Sequence, residues 1–293
     1  MDLASLWSAV VKQGFSRRRS ASASAWVRLA TASLALIAAV CPSRAADLCA
    51  DKARAVEALH EGDEYQAAAL LFAAARLGCE REARALLDRG AAVDAKDREG
   101  ATALARAAQA GKMPLITLLL DRGANVNARA VDGSTALFFA AEADRGAAVA
   151  LLLDRGADPN IPGRVGLRPL AAAAYNGSEE SAELLLKHGA DPNALDDDGK
   201  GAVVYAAGRA YAPIVMLLIQ AGVDVNRRYS HDLTALMWAA GYDASAGVED
   251  IEATLKTLID RGAALDLKDD RGQTAADIAR ELGHERAANL LAR

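Results

Sequence analysis

An all-α solenoid of stacked helix-turn-helix units joined by β-hairpin loops is the fold class this sequence predicts, and three observations predict it. Gly90, Gly123, Gly156, Gly189 and Gly222 step by 33 residues, and Gly262 follows after 40. A second ladder, Gly100, Gly133, Gly166 and Gly199, keeps the interval of 33, with Asp232 and Gly272 on its next rungs. Hydrophobic residues make up 52% of the chain but aromatic ones only 4%, and the apolar spacing is helical rather than alternating. Such a core consists of closely packed Ala- and Leu-rich helices, each too small to bury its apolar face without a neighbour.

Residues 1–45 stand outside this pattern. Lys12, Arg17, Arg18, Arg19 and Arg28 precede the apolar run Leu29–Val40, and Ser43-Arg44-Ala45 offers small residues where a signal peptidase reads. The run has twelve residues, against the roughly 20 that a membrane span needs. The expectation is a secretory signal peptide, a mature chain starting at Ala46, and a periplasmic or secreted protein. Without residues 1–45, which carry six Lys or Arg and one acid, the net charge moves from −5 to −10. An acidic chain lacks the basic footprint that nucleic acid or an anionic membrane surface requires, so neither is expected as a partner.

Residues 46–95 read as an N-terminal cap. Asp47 to His60 is a charged helix, and Tyr65 to Gly90 is a degenerate unit in which Leu71, Ala74, Ala75 and Gly78 align with Leu104, Ala107, Ala108 and Gly111. Cys49 and Cys79 are the two cysteines beyond the leader, and export to an oxidising compartment makes them a disulfide candidate. Such a bridge stabilises the cap by roughly 2 to 4 kcal/mol.

Five units follow over residues 96–267. In the first, Thr102 to Ala108 and Leu115 to Leu120 are the two helices, broken by Gly111 and Pro114 and closed at Gly123. Asp97-Arg98-Glu99-Gly100 and Asn125-Val126-Asn127 form the sides of the connecting hairpin. The fifth unit carries seven extra residues, Gly241 to Gly247, expected as a surface loop that is either tolerated or functional. Residues 268–293 are a shortened cap with Thr274-Ala275-Ala276-Asp277, Leu290-Leu291 and a polar face of Arg280, Glu281, Glu285 and Arg286.

The period of 33, Thr-Ala-Leu before an Ala pair, and Leu-Leu-x-x-Gly-Ala-Asp-x-Asn together resemble the ankyrin repeat over residues 65–293. The family's Thr-Pro-Leu-His turn keeps Pro only at Pro169 and loses its His to Ala105, Phe138, Ala171, Val204 and Met237. The hydrogen bonds that Thr and His make between repeats in the family are thus expected to be mostly absent. The resemblance implies a module that holds another protein on a concave surface of hairpin tips and first helices. Immunity against a secreted toxin and support of a periplasmic enzyme are both compatible roles, and a structural spacer is the alternative.

Catalytic and metal chemistry find no purchase. His60, His188, His231 and His284 are scattered, and no partner set accompanies any of them. Gly199-Lys200 has Ala194 where a phosphate loop needs glycine, and Asp196-Asp197-Asp198-Gly199 has Ala194 and Tyr205 where a calcium loop needs ligands. No enzyme activity, cofactor or metal is expected, and the chain should be monomeric apart from its partner.

Helical geometry picks the candidate face. With Leu104, Ala107 and Ala108 as the buried stripe, positions 106, 109 and 110 point the other way. Their equivalents hold Phe139 and Glu142, then Tyr175 and Asn176, then Tyr205 and Arg209, then Trp238 and Tyr242. With three Trp, six Tyr and four Phe in the whole chain, five rings on one stripe is a concentration. Tyr229 and His231 extend it along the hairpin edge. The competing expectation is that these rings fill gaps between Ala-rich helices.

Overall fold

The structure is a computed structural model, and it describes residues 47–292 apart from 61 and 242–245. The leader expected over residues 1–45 and the side chain of Tyr242 lie outside the described residues.

Thr102 shows how each unit begins. Its side-chain oxygen accepts a hydrogen bond from the Ala105 amide at 3.3 Å and so caps the helix Ala103–Gln109. Thr135 caps Ala136–Glu142, Thr234 caps Ala235–Ala240 and Thr274 caps Ala275–Glu281 in the same way. Second helices follow at Met113–Asp121, Gly146–Asp154, Glu179–Lys187 and Ala212–Gln220. Pro114 and Pro213 sit in the first turn, where the missing amide costs nothing. Leu104, Ala107 and Ala108 are fully buried, as are Leu137, Ala140 and Ala141 one period later. Small alanines let neighbouring first helices approach closely.

The connecting hairpins shrink to turns: among the described residues only the isolated antiparallel bridges Lys96↔Thr102 and Leu195↔Gly201 remain. One oxygen of the Asp97 carboxylate accepts from the amides of Glu99 and Ala101 and orders the turn. Asp196 and Asp269 repeat the arrangement with the amides two and four residues on. In the fifth unit the second helix, Val248–Asp260, has 13 residues where Met113–Asp121 has nine, and Gly241, Ala246 and Gly247, the described residues of the expected insertion, lie outside the helices.

Between units runs a lattice of bonds that repeats with the sequence. Asn127 donates to the Gly156 carbonyl and accepts from the Asp158 amide, Asn160 does the same with Gly189 and Asp191, and Asn226 with Gly262 and Ala264. Arg122 pairs with Asp88 and Arg155 with Asp121, each at 2.9 Å. Lys96 reaches the Arg129 carbonyl, and Arg129 reaches that of Pro162. Pro162 cannot continue this series, and Arg168, which replaces a capping Thr, bonds the Leu195 carbonyl instead. These contacts take the place of the Thr and His bonds that the resemblance implied would be lost.

The inter-helix turns show a second regularity. Gly78, Gly111 and Gly177 have φ of 92°, 66° and 75°, and beneath them lie Lys112, Arg145 and Tyr211 of the following unit. Asp144 and Ala210 take the same left-handed conformation without being glycine. At the position 34 residues on, where Lys112, Arg145 and Tyr211 lie beneath the glycines, Asp144 has Ser178, whose side chain is short.

A helix over 47–57 closes the N-terminal end. Cys49 and Cys79 are joined by a disulfide with Cα atoms 5.5 Å apart, and Arg89 donates to the carbonyls of Val56 and Leu59. At the other end Arg286 pairs with Glu252 at 2.7 Å. Among the described residues no helix is long and apolar enough to cross a membrane.

Candidate partner-binding face

First helices and loop tips together form one face, and three of the side chains expected there meet on it. Tyr175 and Tyr205 pack edge to face with ring centroids 5.9 Å apart, and the Arg209 guanidinium stacks on Tyr175 at 4.1 Å. The Tyr205 hydroxyl donates to the second oxygen of Asp196, whose first oxygen orders the turn. Burial, and then this carboxylate, push the Tyr205 pKa well above the usual phenol range, so the ring stays neutral. One unit further, Lys200 lies over the Trp238 ring at 5.5 Å. Gly208 adjoins that ring: a Cβ there would lie 3.6 Å from Trp238 Cε3. The Trp238 indole N–H is buried with no acceptor among the described residues. Tyr175 is 44% exposed, and Tyr205, Arg209 and Trp238 are half-buried.

Phe139 and Tyr229 were expected to face solvent and do not: each is 7% exposed. Phe139 packs against the edge of Phe138 at 6.2 Å and is roofed by Arg106 of the preceding unit at 5.9 Å. Tyr229 occupies space left by Gly201, which stands where other units have a capping Thr; a Cβ on Gly201 would lie 3.0 Å from its Cε1. Burial pushes the Tyr229 phenol up to about 12, against the lowering influence of Arg227. Both rings therefore belong to the packing. A helical-wheel argument treats one helix at a time and cannot see a side chain of the next unit close over a position. His231 is at an exposed tip with φ 61°, its Nδ1 2.9 Å from Asp270 of the following unit.

Charged residues that the stripe argument passed over form the rest of the face. Arg106 bonds both Asp97 and Glu99. Burial alone would lower its pKa, but the two carboxylates outweigh it and hold the cation. Arg164 pairs with Glu142. Together with Phe139 these side chains line a cleft of about 440 Å³. The signal that could have found them is in the sequence: charged tips at Asp97, Glu99 and Arg164 lie close to helix positions 106 and 142.

Two-helix units stacked at a fixed period, with a regular lattice and one irregular aromatic and charged face, define a helical repeat solenoid of the interaction type. The family model for ankyrin repeats (3 copies) matches residues 44–130, 70–163, 130–196 and 170–249. The chain belongs to the ankyrin repeat family, and it is a protein–protein interaction module. A search of curated proteins found no match.

Proposed function

We propose that this protein is an exported, non-enzymatic module that holds a protein partner on its first-helix face, with Tyr175, Tyr205, Arg209 and Trp238 as the anchors. The observation that carries the reading is the Tyr175–Tyr205–Arg209 cluster, which is partly exposed and stands where the first unit has Gln109, Arg106 and Ala110. Aromatic rings with an arginine are the composition of interface hot spots. A spacer needs only small polar residues at such positions. Export to the periplasm or beyond rests on the basic leader and its twelve-residue apolar run. Roles in toxin immunity or enzyme support both fit such a module.

Affinity capture from an envelope extract, run in parallel with the native face and with Tyr175→Ala/Tyr205→Ala, tests the binding. One protein retained by the first and lost by the second, at equal thermal stability, is the expected result. Equal retention by both would remove the face from the account. N-terminal sequencing of the exported protein should read from Ala46, and an intact Met1 on a cytoplasmic protein would refute export.

A further inference from the structure

We infer that the Cys49–Cys79 bridge is a redox latch: it holds the N-terminal cap helix on the repeat stack, and a dithiol reductant releases that helix while the repeats stay folded. This goes beyond the binding reading and does not depend on it. The helix over 47–57 is fastened alongside Glu80–Asp88 at both ends, since Cys79 is the N-cap of that helix and Arg89 its C-cap.

Its other attachments are few. Over residues 47–60 Val56 and Leu59 are the buried apolar side chains, with Cys49, Ala53 and Ala55 half-buried, whereas Met113–Asp121 buries Leu115, Ile116, Leu118 and Leu119. The ion pair Arg54–Asp51 is internal to the helix. An isolated helix of this length is marginal in water, so the covalent tie sets whether it stays docked.

The bridge is open to attack from one side. Cys79 is 2% exposed while Cys49 is half-buried, so an incoming thiolate meets the Cys49 sulfur. A sulfur–sulfur bond then forms between reductant and Cys49, the Cys49–Cys79 bond breaks, and Cys79 leaves as a thiolate at the N-cap of Glu80–Asp88. That thiolate takes up a proton. The second thiol of the reductant attacks the mixed disulfide and frees Cys49. Two electrons and two protons have passed to the protein, and the reductant ends as a disulfide. A carboxylate oxygen of Glu82 lies within 4.8 Å of both sulfurs, so reduction is carried out with a chelator to keep any metal from standing in for the bridge.

The test is hydrogen exchange read by mass spectrometry on the exported protein, with and without dithiothreitol, alongside trypsin cleavage at Lys52 and Arg54. Reduction should raise exchange over residues 48–59 and both cleavages at least tenfold, with residues 103–292 unchanged, and Cys49→Ser should do the same without reductant. Unchanged protection in reduced protein, or in Cys49→Ser, would overturn the latch. Exchange rising through every repeat would overturn it too, by showing that the bridge holds the whole stack.

Discussion

On the lattice, Asn127, Asn160 and Asn226 bind the following unit through the same pair of bonds, whereas the first-helix face presents Arg106, Phe139, Ala172, Tyr205 and Trp238 at one equivalent position. Stacking demands the first kind of regularity, because every unit must offer its neighbour the same surface. Nothing in the stacking demands Tyr205 or Trp238. Residues that keep the period hold the solenoid together, and residues that break it are either repairs or contacts with something else. Arg168 and Gly201 are repairs: one replaces the cation missing at Pro162, and the other makes room for Tyr229.

Phe139 is the sharpest challenge to that division, since it breaks the period yet is buried. Phe139→Ala should lower unfolding stability by about 3 kcal/mol, because removing a buried ring leaves a cavity. A change below about 1 kcal/mol in denaturant titrations would return it to the binding face. Next in size, Trp238→Ala or Tyr205→Ala should weaken the captured partner by about 2 kcal/mol or more while changing stability less. Equal losses of stability and affinity would place these rings in the lattice after all.

Asn160→Ala removes two inter-unit bonds and should cost about 1 to 2 kcal/mol of stability with partner affinity unchanged; lost affinity at full stability would break the division from the other side. The Asp269 carboxylate gives a pH test. Burial would raise its pKa, but hydrogen bonds from the Gln273 amide and from Arg271 outweigh burial and hold it below the usual carboxylate range. A lowered carboxylate contributes stability that is present above its unfolded pKa and lost as pH falls through the folded one. Asp269→Asn should therefore be destabilised at neutral pH, and its gap to the native protein should narrow in melts taken below about pH 4. A gap constant down to pH 2 would show that shape, not charge, orders that turn. Smallest is Ala210→Gly, expected to be neutral or to stabilise by up to about 1 kcal/mol, because the left-handed backbone there suits glycine. A loss of stability would mean that the Ala210 methyl, buried at 5% exposure, matters more to packing than its backbone strain.

Much of the lattice was legible in the sequence. The period, the turn glycines and the buried Leu-Ala-Ala stripe are local or strictly repeated signals, and each is set by the backbone geometry of one unit. The cysteine pair could be named because the cap aligns with the repeat. What tertiary structure alone decided is which odd residues face outward. Phe139 and Tyr229 were assigned to the surface from helical phase and loop position, but Arg106 of a neighbouring unit roofs one and the missing Cβ of Gly201 admits the other. Asp144 keeps a non-glycine side chain where the residue 34 positions on is Ser178 rather than Lys112, Arg145 or Tyr211. Burial in a solenoid depends on the side chain stacked one period away, and the sequence of a single unit does not contain that neighbour.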